Sequence, residues 1–215
     1  MRQITIDELK IILNKHSKWL QKEEGGECAD LMRVNLMGSN LKGVNLSEAN
    51  LQGANLTVAD LTITNFTGVN LEGADLTKAN LEGTFLDHAI LRGAYLVKCL
   101  FKYIGLKNAD LTGATLKESF IIDSDLSGAN LSGADLTRVR ISRTNLAGAN
   151  LEGSDLTHIA MYGVNLTDAN LKDVNLTAAY LRNCILRGAE IEGAILKGIN
   201  LKNTDLPGAK DRLKI

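Results

Sequence analysis

Proline is nearly missing from this chain: Pro207 is the only one in 215 residues, where ordinary globular chains carry about 5%. Aromatic residues amount to 4%. An excess of charge of either sign is missing too. The formal net charge is -1, with 24 basic and 25 acidic side chains. That balance excludes a strongly basic nucleic-acid-binding domain and a polybasic membrane surface. No apolar run approaches the roughly 18 residues that cross a bilayer. The N-terminus mixes acids and bases and does not read as a secretory signal. Cysteine is sparse and odd in number, three in all, which excludes a full disulfide framework. A reducing cytoplasm is the compartment expected from these features. The length suits one domain or two.

What is present is a repeat of period five. From Leu31 to Leu206 every fifth residue is large and apolar, giving 36 positions in register, 30 of them Leu. The exceptions are Phe66, Phe101, Ile121, Ile141, Met161 and Ile191. Two residues before each centre the side chain is small in 27 units and Val or Ile in nine. One residue before it, 23 of 36 are Asn or Asp; two residues after it, 17 are Gly. Runs such as Ala49-Asn50-Leu51-Gln52-Gly53 show the unit plainly. A period of five matches neither the 3.6 of a helix nor the 2 of a strand. It is a turn repeat, with Gly supplying positive φ and Asn or Asp bonding to nearby backbone. No unit can bury its own Leu, so stability must come from stacked neighbours.

These residues resemble the pentapeptide repeat family, whose unit is Ala-(Asp or Asn)-Leu-x-x, over residues 29 to about 208. The resemblance implies an all-β solenoid: a right-handed quadrilateral parallel β-helix with four units per coil. The centre residue and the small residue two before it would then point inward. Thirty-six units would make about nine coils, a rod about 43 Å long at the ~4.8 Å spacing of strands.

Three segments are expected: 1–27, an N-terminal helix and cap; 28–209, the repeat; and 210–215, a short tail. Within the first, residues 5 to 22 read as a helix. Thr5 and Glu8 form a capping-box pattern. Leu9, Ile12, Leu13, His16, Trp19 and Leu20 share one face. A solenoid needs its end covered, so Trp19 and its neighbours are expected to lie on the first coil. An amphipathic membrane or partner helix is the competing reading. The opposite end, after Pro207 and Gly208, offers only a thin basic cap. End-to-end packing of the last coil against a second copy, a homodimer, is the corresponding expectation.

Chemistry-bearing motifs do not emerge. His16, His88 and His158 stand far apart, and no Cys/His pair has zinc spacing. Cys99 and Cys184 fall in the inward small-residue column and read as inert. The glycines follow the five-residue spacing and never form a phosphate loop. Carboxylates recur with the unit, so no catalytic pair can be singled out. The expectation is no enzyme activity, no metal and no cofactor.

With four units per coil, residues 20 apart share a side. The faces centred on Leu31 and Leu46 are adjacent and sum to -7; those centred on Leu36 and Leu41 sum to +4. The Leu41 face, the most basic, has six bases and three acids, too few for a strong phosphate footprint. Direct nucleic-acid binding is therefore disfavoured, as is membrane association. On the same face the usual Asn/Asp position becomes Leu100, Phe120, Arg140, Ala160 and Tyr180, and Ile63, Tyr103, Ile122 and Tyr162 occupy neighbouring outward positions. Arg143 and Arg182 flank them. Aromatics with Arg in one area have hot-spot composition, and a contiguous apolar patch usually means contact with something. Tyr103, Phe120, Ile122, Tyr162, Tyr180, Arg143 and Arg182 are thus the expected protein-binding residues. The competing reading is side-chain stacking along the rod. A second departure, Phe85, Ile90, Tyr95 and Leu100, circles one coil.

Two functions follow. One is a non-catalytic structural module that presents a rigid surface to an unidentified protein. The other comes from the resemblance: some members of the family mimic duplex DNA, bind DNA gyrase and protect it from quinolones. The acidic pair of faces agrees with that alternative. The near-zero net charge, the absence of an interrupting loop, and the lack of a dimerising C-terminal helix weigh against it.

Overall fold

The structure, a computed structural model, describes residues 1–204. Among them a single helix, α1 (Ile6–Leu20), precedes a parallel β-solenoid. The last unit, centred on Leu206, and the tail 210–215 lie outside the described residues, as does the end-to-end packing expected there.

Each unit is a tight turn. The centre carbonyl accepts from the N–H three residues on, as in Val34 to Leu31 at 3.1 Å and Ala54 to Leu51 at 3.0 Å. The residue before that donor has positive φ, 62° at Gly53. That combination defines a type II turn, which Gly adopts without steric cost. Val58 and Ile63 adopt it too, at 54° and 51°, although β-branched residues disfavour it. Their neighbours in the stack hold them there. The Asn or Asp before each centre closes the turn from outside: Asn35 Oδ1 accepts from Met37 N–H at 3.2 Å and Asn55 Oδ1 from Thr57 N–H at 2.9 Å. This is the Asx bond that favours these residues in turns.

Coils join through short parallel bridges with a register of 20. Leu31 N–H donates to Asn50 O at 2.7 Å, Arg33 N–H to Gln52 O at 2.9 Å, and Asn50 N–H returns to Ala29 O at 2.9 Å. Four five-residue turns therefore make one coil. Bridges link Asp30, Asn50, Asn70, Ile90 and onward to Glu190 without a break. The Asn side chains repeat the ladder outside, as in Asn170 Nδ2 to Asn150 Oδ1 at 3.0 Å and Asn150 Nδ2 to Asn130 Oδ1 at 3.1 Å.

The inward assignment holds along the rod. Centre residues such as Leu51, Phe66 and Leu131, and small residues such as Ala49 and Ala129, are fully buried. Hydroxyls in the small column bond to the coil behind them: Thr64 Oγ1 donates to Leu41 O at 2.8 Å and Ser119 Oγ to Leu96 O at 2.6 Å. These buried hydroxyls are thereby satisfied, while the shielded Ser39 hydroxyl has no partner.

One face departs from the turn pattern. From Leu100 onward the Leu41 face extends into six strands: β1 (Leu100–Lys102), β2 (Phe120–Ile122), β3 (Arg140–Ser142), β4 (Ala160–Tyr162), β5 (Tyr180–Arg182) and β6 (Asn200–Lys202). They pair in chain order, with Phe120 beside Leu100 and Arg140. The change begins where the Asn/Asp column of this face ends, at Asn80. Five of the six strands lack the Asx acceptor that would hold the turn. Loss of that acceptor is not sufficient, since the units after Phe85 and Ile90 keep their turns, Ala89 N–H bonding to Leu86 O at 3.1 Å and Ala94 N–H to Leu91 O at 3.0 Å. Stacked strands favour further strands, and the face changes as a block.

The cap is built as its sequence suggests. Thr5 N-caps α1, with Glu8 N–H to Thr5 Oγ1 at 3.1 Å and Thr5 N–H to Glu8 Oε2 at 2.8 Å. Leu9, Ile12 and Leu13 pack on the core. The most deeply placed residue of the helix is His16, which is fully buried; Trp19 stacks on it at 5.6 Å and stays partly exposed. His16 Nδ1 accepts from Ala29 N–H at 3.1 Å, fastening the helix to the start of the first coil. Burial holds its pKa below the ordinary value, against smaller opposing effects of the Ser47 backbone and Glu48.

Two stability predictions follow from this packing. Leu131→Ala should cost about 2–5 kcal/mol in urea denaturation, and Ala129→Glu should cost more, because the small column has neither room nor a partner for a charge. An Ala129→Glu protein as stable as the parent would refute the inward assignment. The second concerns pH. With a depressed folded pKa, His16 binds its proton more readily in the unfolded chain. Its contribution is intact above the unfolded value of about 6.5 and declines as pH falls below it, by at most ~1.4 kcal/mol per unit. The melting temperature of the parent should therefore fall more between pH 7.5 and 5.5 than that of His16→Gln. Parallel profiles would exclude His16 as the titrating group.

Candidate protein-interaction site

The strand face gathers most of the expected recognition residues and separates them into two groups. Side chains at the first and third positions of a strand point outward while the central one enters the core. The outward columns therefore run Phe120, Arg140, Ala160, Tyr180 and, beside them, Ile122, Ser142, Tyr162, Arg182. Ala160 is the one short side chain in a column of long ones, and Ser142 lies diagonally across from it. Together they form the floor of a groove of about 310 Å³, with Phe120, Ile122, Tyr162 and Tyr180 as its walls. Phe120, Tyr162 and Tyr180 stand 40%, 45% and 37% exposed, so the walls are available for contact.

Tyr103 and Arg143 belong elsewhere. They lie at the corner toward the Leu46 face, with Phe85, around a second hollow. Arg143 is committed to Asp123, with Nε and Nη2 donating at 2.6 and 2.8 Å. These hydrogen bonds, more than the bare charge, hold the Asp123 carboxyl below its usual range. Arg182 sits on the groove: its guanidinium lies 5.7 Å from the Tyr162 ring centre.

Residues outside the expected set complete the rim. The Arg140 guanidinium lies 5.3 Å from the Phe120 ring centre. Arg138 and Arg140 line an adjoining hollow of about 620 Å³ together with Lys98, Glu118 and Phe120. Lys98 and Glu118 pair at 3.4 Å. Arg138, Arg140 and Arg182 form no ion pair among the described residues. The Nε of Arg182 is shielded from solvent and has no hydrogen-bond partner. The signal for Arg140 and Ala160 was present in the sequence as breaks in the Asn/Asp column. Their joint role appears only when the columns are set side by side.

Among the described residues no group of three or more His, Cys, Asp or Glu is placed to hold a metal ion. Cys99 is buried, its thiol pushed up to about 12 chiefly by burial, and burial also raises Cys184. Cys28 is exposed, with burial of part of its surface raising its pKa. No helix among the described residues is long and apolar enough to cross a membrane.

A parallel solenoid of stacked five-residue turns, four to the coil and capped by one helix, defines a narrow class. The pentapeptide repeats family model matches in eight copies over 29–68, 54–93, 64–102, 106–143, 144–183 and 184–210, and the chain belongs to that family. Among solved structures it is similar to HetL, a pentapeptide repeat protein involved in heterocyst differentiation regulation from the cyanobacterium Nostoc sp. strain PCC 7120. That match has 27% identity over 95% of this chain and 98% of that one, with a TM-score of 0.50. A match to QnrB1, a plasmid-mediated fluoroquinolone resistance protein, has 21% identity over 86% and 96% of the two chains and a TM-score of 0.47. No curated protein matches the sequence.

The thiol environments are directly testable. Ellman's reagent at neutral pH should label Cys28 alone in the native protein and all three cysteines in urea. Rapid labelling of Cys99 without denaturant would contradict its burial.

Proposed function

We propose that this protein is a non-catalytic interaction module that presents the strand face of a rigid rod to a protein partner. The observation that carries this reading is the convergence of pattern-breaking residues. Phe120 and Tyr180 replace the consensus Asn or Asp at separate points in the chain, and they meet Ile122 and Tyr162, at neighbouring outward positions, around one groove. Aromatic anchors beside Arg around an apolar hollow are the composition of binding hot spots. The other faces also carry outward apolar residues, Phe85, Ile90, Tyr95, Ile185 and Ile195, but there they are scattered among Asn, Asp and Thr, whereas on this face they adjoin one groove. The free thiols suit a reducing compartment, and we place the protein in the cytoplasm.

DNA mimicry directed at DNA gyrase is the alternative. Its support is the acidic pair of faces, of which the Leu31 face lies opposite the groove and the Leu46 face beside it. The uninterrupted register from Asp30 to Asn200 leaves that reading without the projecting loop its family precedent suggests.

Affinity capture from a lysate of the source organism, with parent and Phe120→Asp/Tyr162→Asp baits, separates the two. A partner present with the parent and lost with the variant is expected. Gyrase subunits held equally by both baits would transfer the function to the acidic faces. Identical captures of any other kind would remove the groove from consideration.

A further inference from the structure

Resting on that reading, we infer that the groove takes a short acidic segment of a partner protein, anchored by one large apolar side chain on Ala160. Three observations fix the chemistry. The first is shape. The hollow has an apolar lining apart from Arg140 and the hydroxyls of Ser142, Tyr162 and Tyr180, and the short Ala160 side chain leaves a notch between Arg140 and Tyr180 in the same column. Its volume of about 310 Å³ accommodates one large side chain, the kind of buried anchor that dominates interface energetics.

The second is charge. From Phe120 to Lys202 the outward positions of this face hold Arg140, Arg143, Arg182 and Lys202 against a single acid, Asp123, which Arg143 already occupies. Arg138 and Lys98 add to the same side from the adjoining corner, and Glu118 answers only Lys98. Three guanidiniums are left without carboxylate partners, and one of them has a solvent-shielded Nε with nothing to donate to. Guanidinium recognises carboxylate by paired, charge-assisted hydrogen bonds.

The third is placement. Arg140 and Arg182 are on opposite sides of the Ala160 notch and two coils apart, about 10 Å along the rod at the ~4.8 Å spacing. Each lies over an aromatic ring, which limits the freedom it would lose on binding. An anchor in the notch thus has a cation before it and a cation after it. The acids of the segment flank its apolar residue. A nucleic acid fits less well. The two rings on which bases would stack are already covered on one face by Arg140 and Arg182, and the four nearby cations without an ion pair among the described residues, Arg138, Arg140, Arg182 and Lys202, make a short phosphate track.

A random dodecapeptide phage library panned on the full-length protein tests this. Enriched sequences should carry Asp or Glu on both sides of one large apolar residue. Synthetic, fluorescein-labelled versions should bind the parent with salt-sensitive affinity in anisotropy titrations. Ala160→Trp, which fills the notch, should weaken them at least tenfold. Arg140→Glu/Arg182→Glu should do the same and flatten the salt dependence. Met37→Asp, exposed on another face, should change nothing, and thermal melts would verify that all variants fold. Neutral or basic enriched peptides, no enrichment, or peptides that bind Ala160→Trp as well as the parent would each overturn the inference. So would a labelled 15-residue oligouridylate that binds the parent and loses affinity in Ala160→Trp. A partner still lost in the Phe120→Asp/Tyr162→Asp capture alongside any of these results would sink only the acidic-segment inference; identical captures would sink the interaction reading itself.

Discussion

Everything in this molecule depends on the requirement that each residue stack on the residue 20 positions later. Most backbone hydrogen bonds run between coils, Leu31 to Asn50 and Arg33 to Gln52 being one instance. Within a unit the bonds are chiefly the turn closure and the Asx contact. A five-residue turn in isolation holds too few contacts to offset its ordering entropy. Stacked, it shares both its ladders and its Leu with the coils on either side, as in other solenoids. The same requirement explains tolerated strain. Val58 and Ile63 accept positive φ because leaving it would break the register of both neighbours.

Stacking also separates the interior from the exterior more completely than a globular core does. Inside, the choice is narrow: a large apolar residue at the centre, and a small one two positions earlier, whose hydroxyl can reach the previous coil. Thr64, Thr84 and Ser119 do so with bonds of 2.8, 2.9 and 2.6 Å. Outside, three positions per unit are nearly free. Cross-coil ion pairs such as Lys102–Glu82 and Arg143–Asp123 are exposed and contribute modestly. The exterior can therefore diverge in composition without endangering the fold. That freedom is what makes a cluster of departures on one face informative.

Much of this was legible before any coordinates. The five-residue column of Leu declared the core, the 20-residue register followed from four turns per coil, and Thr5 with Glu8 marked the helix start. Legibility ended where lateral neighbours matter. The helix pattern put His16 on the packing face, but nothing in it showed that Nδ1 would accept from Ala29, or that His16 would lie deeper than Trp19. The outward aromatics read as one patch; the structure assigns Tyr103 and Arg143 to a different corner, because they follow their strands by a residue and fall where the chain turns. Arg140 and Ala160 looked like isolated breaks in the Asn/Asp column. Their meaning comes from Ser142, Tyr162 and Tyr180 alongside, a relation between columns that a linear repeat does not display. The conversion of turns into six strands was also unreadable. Phe85 and Phe120 replace the same consensus Asn, yet only the second lies in a strand, so the outcome depends on the stack as well as on the unit.

That last contrast bears on function. A turn presents its three outward side chains around a bend, whereas a strand lays two of them on a flat surface and keeps successive coils parallel. Six strands in a row make the Leu41 face the one flat, laterally continuous surface among the described residues. It is also the face with the fewest acids and the most bases. A rod built wholly of Asx-closed turns would have a corrugated, polar surface with little for a partner to grip. By giving up the Asx contact at Phe120, Arg140, Ala160 and Tyr180, the chain weakens four turns and gains a flat apolar groove with cations at its margin. The strand hydrogen bonds between coils replace what the turns lose, so the recognition surface is made from the same interaction that holds the rod together.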